Sequence, residues 1–444
     1  MNIYFPFEGQ ARELNARIHF SIEAAKRGHN AYFGQKINLY PLLPRLKPGI
    51  FFLKSVQLRN AKLIEKLKKI GHFSAAIDEE GIMRICDEIY FGYRLSKKCL
   101  NLLDAFFAWG DDHSESIINY YPDLAEKVYS AGNSRIDILK SINKSDERVS
   151  KLKSKYGSFL LFASKFARCN GLNYEKTFAD AIKSNFNSMS DNVYQALLDN
   201  ESWERDNMFS YMEAIKKCAK FFNDKTIIIR PHPSEDFSTW HDFVDKLGLD
   251  NVIINSDGNS IIPWILAAEK IISHNCTTAV ESAFLGIKTI NYTAFPDENF
   301  EYKLPLICSD TARNIDELKS LILKKQNFQF DFNKVKFFIK NSGDKSFCDY
   351  SMEIIEKKVD TLYYSEKNKV LNRFNLFFAK LWHNFRVNFS LSLGSGRDKR
   401  TYFTQKFKGF KIDYVENIIK SFSAQNDVHV IEAWPGVYKI SKKK

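Results

Sequence analysis

Three adjacent carboxylates, Asp78, Glu79 and Glu80, stand before Gly81 at the end of the apolar run FSAAID, 73 to 78. Like charges in a row normally make a solvated loop, and alone they say little. At the carboxyl end of a strand the same trio meets a ligand, where partial burial and mutual repulsion tune one acid to deprotonate an acceptor hydroxyl. Attack on an anomeric carbon is the other chemistry open to it. Gly81 lets the loop turn sharply and leaves backbone room for a sugar.

A second set of residues suits an anion. Arg230-Pro231-His232-Pro233 follows the apolar run 226 to 229, and two prolines stiffen the chain where that strand ends. Arg230 offers a planar fork of donors to a phosphate, and His232 can bond a phosphate oxygen or protonate a leaving group. The plain alternative is a strand-terminating turn with a surface histidine. Ser273-His274-Asn275-Cys276-Thr277-Thr278 lies between the apolar run KIIS and the helical stretch AVESAFLG. Thr278 and Glu281 have capping-box spacing and Gly286 stands where a helix stops, so the spacing predicts a helix from about Thr278. Its amino end, ringed by small hydroxyl residues, forms an anion site without a lysine; a purely structural capping box is the alternative.

Weaker signals sit in neighbouring loops. Asp257-Gly258-Asn259-Ser260 is either a turn with an N-cap or the loop that approaches a base or ribose. Arg12, after Glu8 and Gly9, either meets a sugar carboxylate or starts a helix on the surface. Trp109-Gly110-Asp111-Asp112 and the run AGNSRID, 131 to 137, read as strand-end loops, scaffold with acceptor contacts.

All these residues need one kind of support. Short apolar runs at 2 to 6, 49 to 55 and 73 to 78 alternate with helical, Lys-rich segments, and a clearer βαβ rhythm runs through TIIIRPHP, NVIIN, KIIS and KTINY. Alternation of this kind predicts α/β architecture with parallel, doubly wound sheets, whose ligands gather outside the carboxyl ends of the strands. The charged stretch KSINKSDERVSKLKSKYG reads as a linker. The expected domains are 1–150, 151–330 and a helical, basic C-terminal region at 331–444, where apolar strands stop.

The 444 residues and 44% hydrophobic content suffice for two cores. Seven scattered cysteines with no CxxC pair fit a reducing compartment and no zinc clamp. No leader-like start and no run near the ~20 apolar residues of a spanning helix is visible, which predicts a cytoplasmic protein. The net charge of +12 leans toward the C-terminal end, in FNLFFAKLWHNFRVNF, GRDKRTYF and Lys442 to Lys444. Peripheral docking on an anionic inner membrane, a groove for an acidic glycan, and a solvated surface all fit that lean.

The residues also resemble a known family. Glu79-Glu80-Gly81 is similar to the acidic-acidic-glycine motif of bacterial sialyl- and polysialyltransferases, His232-Pro233 to their His-Pro motif, and 273 to 278 to their Ser/Thr-rich phosphate segment. The longer pattern, with ARELNARIHFSIEAAKRGH, DEEG, AGNSRID, IRPHPSE, DGNSIIPWI and HNCTTAVESAFLG, resembles the surface carbohydrate biosynthesis group over about residues 1 to 300. That group includes transferases of nonulosonic acids, such as pseudaminic or legionaminic acid, and of Kdo.

The resemblance implies a GT-B fold, two Rossmann-like domains facing across a cleft, with a CMP-linked acidic sugar as donor and a capsule or lipopolysaccharide glycan as acceptor. His232 would contact the CMP phosphate, the helix start at Thr277 and Thr278 would hold its oxygens, and an acid among Asp78, Glu79 and Glu80 would be catalytic. No metal or other cofactor is implied, and retention of anomeric configuration is the expected outcome. Two rivals remain: a CDP-glycerol or CDP-ribitol phosphotransferase of teichoic-acid-like polymers, and a noncatalytic module binding glycan or nucleic acid through its charge. On the main reading nucleic acid is not a partner.

Overall fold

The computed structural model describes residues 1–8, 13–84, 87–142, 147–172, 177–184, 189–255, 260–325, 328–362, 410–422, 424 and 427–443. The chain forms two compact units, one of Met1–Ile142 with Lys336–Lys444, the other of Asn143–Val335.

The first unit begins with β1 (Asn2–Phe7), α1 (Asn15–Lys26), β2 (Asn30–Gln35), β3 (Ile50–Leu53), β4 (Phe73–Ile77), β5 (Ala105–Ala108), β6 (Val128–Ser130) and α2 (Ser134–Ser141). These strands pair in parallel in the order β2-β1-β3-β4-β5-β6. Helices cover both faces of such a sheet, so its strands read as near-continuous apolar runs, IFFL and AFFA among them. Phe5, Phe7, Phe52 and Phe107 pack into one core with Phe20 of α1; Tyr4, Phe51, Leu53 and Phe106 pack into the other. β2, with the sequence NAYFGQ, has no such run and escapes a reading by apolar stretches.

The second unit holds β7 (Phe159–Ala163), α3 (Asp191–Phe221), β8 (Thr226–Arg230), α4 (Phe237–Leu247), β9 (Val252–Ile254), β10 (Lys270–Ser273), α5 (Thr277–Phe284), β11 (Thr289–Tyr292) and β12 (Ser309–Ala312). Its six strands are parallel in the order β12-β11-β10-β7-β8-β9. The chain builds outward from β7 through β8 and β9, then crosses back to lay β10 on the other side of β7. That reversal is the topological switch point, where open α/β sheets bind ligands. Leu160, Phe162, Ile227, Ile229, Ile272 and Ile290 form the core with Tyr211 and Ile215 of α3 and Trp240 of α4.

Among the described residues, the region after 330 includes a strand hairpin as well as helices, and from Lys336 it belongs to the first unit, where the sequence expectation was a helical region of its own. The chain returns to the first unit through α6 (Phe347–Leu362), α7 (Ile412–Ser421) and the hairpin β13 (Val428–Trp434) and β14 (Val437–Lys442). Phe347, Met352 and Ile355 of α6 and Ile418 and Ile419 of α7 fill the core beside Phe20. β14 pairs antiparallel with β2 and covers an edge that would otherwise lie open. Gly34 permits the approach, since a Cβ there would lie 2.8 Å from Val437 Cγ2 and 2.9 Å from the Gly436 carbonyl oxygen. An edge hairpin with one wet face alternates polar and apolar residues, so within a Lys-rich tail it reads as surface. The basic aromatic stretches at 374 to 389 and 396 to 403, on which the membrane reading rests, lie outside the described residues. No helix among the described residues is long and apolar enough to cross a membrane.

Candidate functional site

At the carboxyl end of β4 the three acids take separate roles. Their side chains are 1%, 12% and 57% exposed for Asp78, Glu79 and Glu80. Asp78 gives both oxygens to Arg94, at 2.7 Å from Nε and 2.5 Å from the terminal nitrogen, and also accepts the Glu80 N–H at 3.3 Å. Glu80 shares the same guanidinium at 2.9 Å. Glu79 instead turns toward α1 and α2. One of its oxygens accepts from buried Arg17 at 2.7 Å, and the other from Asn133 at 3.3 Å. Asn133 is itself fixed as the N-cap of α2, accepting the Arg135 N–H at 2.9 Å. Glu79 is thus the acid placed by helices on two sides while keeping partial access to solvent.

A buried relay stands behind this loop. The Trp109 N–H donates to His113 Nδ1 at 3.3 Å, which leaves the hydrogen on Nε2 to donate to the Tyr90 hydroxyl at 2.5 Å. Burial, and after it the nearby Asp78 carboxylate, raise the Tyr90 phenol well above its ordinary value, and Trp109 Nε1 donates to the Asp78 carbonyl at 2.7 Å. Burial, reinforced by Arg84 and Arg94, drives the His113 pKa far down, so the imidazole is neutral. Gly81 is required here for a reason beyond turning: a Cβ would lie 2.5 Å from His113 Cε1. Farther along the same sheet edge, Lys54 bridges Glu8 at 2.5 Å and Glu13 at 2.9 Å. Arg12 lies outside the described residues.

In the second unit the loops after β10, β7 and β8 lie side by side in that strand order. His232 follows β8, and its turn is organised by Glu235, the last residue of the IRPHPSE run. This fully buried carboxylate accepts from the His232 N–H at 3.0 Å, Trp240 Nε1 at 2.9 Å and the Ser164 hydroxyl at 2.8 and 3.0 Å. Burial pushes it up to about 7, against the pull of those donors. His232 Nδ1 accepts the Ser234 N–H at 3.2 Å, and Pro233 is half-buried beside it. Arg230 is largely buried, bonded to Asn255 and stacked 5.4 Å from the Trp264 ring centre, which makes it part of the wall as much as a donor.

The Ser/Thr segment is tightly folded. Asn275 adopts a left-handed conformation with φ 46°, held by its N–H on Asn291 at 2.7 Å and its side chain on Phe300 and Tyr302 at 2.9 and 2.7 Å. His274 faces inward, stacked on Phe166 with ring centres 5.0 Å apart, and burial lowers it to about 3. It is a neutral core histidine, not a cation for a phosphate. Ser273 is fully buried. The helix starts at Thr277, within a residue of the place its spacing predicts, after Cys276 at the N-cap. Thr278 therefore sits inside the first turn, its hydroxyl 3.3 Å from Cys276 Sγ, and the expected capping role of Thr278 is not taken up. Thr277 remains half-buried at the amino end of α5, and Glu281 lies one turn on. Tyr211 of α3 bridges the carbonyls of Ala163 at 3.2 Å and Ile272 at 2.9 Å, tying the ends of β7 and β10 together. Ser260 accepts the Ile262 N–H at 3.3 Å, the N-cap alternative for that loop, while Asn259 lies outside the described residues.

Neither a protein-family model nor a curated protein matches the sequence. Solved structures do. UDP-GlcNAc 2-epimerase of Methanocaldococcus jannaschii, in complex with UDP-GlcNAc and UDP, superposes with a TM-score of 0.53 at 12% identity, over 80% of this chain and 100% of that one. S. aureus MnaA with UDP gives 0.51 at 11% identity, over 81% and 96%. A putative UDP-N-acetylglucosamine 2-epimerase from Listeria monocytogenes gives 0.50 at 10% identity, over 81% and 97%. The fold is of the GT-B type. At these identities the likeness extends to architecture, and the side chains of the two sheet edges must carry any reading of chemistry.

Sequence reasoning passed over Arg17, Tyr90, Arg94, His113, Lys165 and Glu235. Glu235 alone had a visible signal, its place three residues after His232 in a rigid turn. Among the described residues no group of three or more His, Cys, Asp or Glu is placed to hold a metal ion.

Proposed function

We propose that this chain is a glycosyltransferase that moves an acidic nonulosonic sugar, or Kdo, from its CMP donor onto a capsule or lipopolysaccharide glycan. The observation that carries the reading is in the second unit: the His-Pro turn and the Ser/Thr segment, 40 or so residues apart in sequence, end up on either side of β7 at the switch point. Ser164, in the loop after β7, is bonded to the Glu235 that shapes the His232 turn, and Lys165 beside it is bonded to Asn275. Backbone amides at the start of α5 give that edge a positive end of a helix dipole. GT-B structures of similar architecture hold UDP or UDP-GlcNAc, which supports a nucleotide here.

In the first unit Glu79 is the acid we assign to the reacting sugar. Asp78 is committed to Arg94 through both oxygens, and Glu80 is the most solvated of the three. Arg17 and Asn133 fix the direction of Glu79, and orientation of this kind is what a group acting at an anomeric carbon needs.

The deciding experiment is a donor panel: CMP-activated pseudaminic, legionaminic and sialic acids and CMP-Kdo, alongside CDP-glycerol and UDP-GlcNAc, with acceptor glycan and with CMP release followed in time. At least one CMP-acid should release CMP in an acceptor-dependent manner, and the anomeric configuration of its product reads the stereochemistry. Turnover of CDP-glycerol or UDP-GlcNAc with every CMP-acid inert would overturn the proposal.

A further inference from the structure

The loop after β7 carries a cation that the sequence motifs do not include. Lys165 Nζ lies 3.2 Å from the Asn275 carbonyl oxygen and 4.6 Å from the centre of the Tyr302 ring. Neither neighbour bears a formal negative charge, and among the described residues no carboxylate pairs with this ammonium. Three residues on, Arg168 has the opposite surroundings, with Glu204 at 3.2 Å, Asn200 at 2.6 Å and the Tyr302 hydroxyl at 2.7 Å. Among its described residues the second unit therefore neutralises one of these two nearby cations and leaves the other half-buried without a paired carboxylate. Cations out of bulk water normally gain a paired anion, because desolvation is otherwise uncompensated.

The position of Lys165 says which anion. β7 is the strand at which the chain order reverses, and Lys165 reaches from its end to the end of β10, across the switch point. Ser164, its neighbour, is bonded on the other side to the Glu235 that shapes the His232 turn. The local field is positive: burial alone would raise the Tyr302 phenol, yet the Arg168 and Lys165 cations bring it below its ordinary value.

We propose that Lys165 is the ammonium that receives the phosphate of the bound nucleotide at the switch point of the second unit. The proposal rests on the nucleotide reading above and adds to it a charged contact outside the His-Pro and Ser/Thr segments. A lysine serves here as a compact point charge that can leave a carbonyl for a phosphate oxygen by a small swing of its side chain.

The test uses the full chain and calorimetric binding of CMP and of cytidine, which lacks the phosphate. Lys165→Met should weaken CMP binding about 10- to 100-fold, the range for losing one charge-assisted contact. Lys165→Arg should recover most of that loss, and cytidine should bind wild type and Lys165→Met alike. Lys216→Met, which removes an exposed charge from α3, controls for net charge and should leave CMP binding unchanged. Wild-type affinity for CMP in Lys165→Met, or an equal loss of cytidine, would overturn the proposal, the second because it marks collapse of the loop. If Lys165→Met does not fold, acetylation of wild-type Lys165 followed by mass spectrometry decides. CMP should protect the amine and cytidine should not, and absence of protection refutes the contact. A wild-type chain that binds no CMP at all removes the nucleotide reading as well, an outcome distinct from failure of Lys165 alone.

Discussion

The acidic loop of the first sheet is met by cations at every carboxylate, Asp78 and Glu80 by Arg94 and Glu79 by Arg17, with Lys54 doing the same for Glu8 and Glu13 nearby. The edge of the second sheet is built from carbonyls, hydroxyls, a neutral His274 and a buried Glu235 satisfied by neutral donors, and among the described residues no carboxylate pairs with its Lys165. The contrast separates two tasks. An edge whose charges already balance holds its own groups in fixed directions, whereas an edge with unmatched positive charge has room for the charge of a ligand. One is suited to orient a reacting carboxylate and the other to grip an anion.

That division can be broken most sharply at Glu79. Glu79→Gln should lower kcat by about 1,000-fold or more while CMP binding, which the proposed function assigns to the other unit, stays within about twofold. Because Arg17 loses its counter-charge, melting curves accompany the kinetics; turnover near wild type would move the reacting acid elsewhere. Next in size is Arg94→Met, which strands the buried Asp78 carboxylate and should cost the fold about 3–5 kcal/mol by urea unfolding. A loss under about 1 kcal/mol would mean that the first edge is not charge-locked.

The smallest effect sharpens the second edge. Burial raises Glu235 from 4.5 to about 7, so between those values the native state keeps a proton that the unfolded chain has released. Stability then falls as pH climbs from about 4.5 to 7, and the loss is complete above 7. Glu235→Gln cannot ionise. Its stability relative to wild type should therefore improve by about 2–3 kcal/mol between pH 5 and pH 8, read from urea unfolding at both values. An equal difference at the two pH values would show that Glu235 titrates at its ordinary position.

The sequence by itself determined the strands and the loops that end them. Apolar runs located β1, β3, β4 and β8 to β11 because burial on both faces demands them, and Pro, Gly and hydroxyl residues marked the turns. It also identified the acids of 78 to 80 and the His232 turn as chemical groups. Only the tertiary structure decided what each group does. Arg17 meets Glu79 across 62 positions, Asn133 meets it across 54, and Arg94 meets Asp78 across 16. The strand β14 likewise finds β2 from the far end of the chain. Strand and turn preferences are local properties of a few neighbouring residues, while charge pairing and edge covering depend on which distant segments the sheet order brings together.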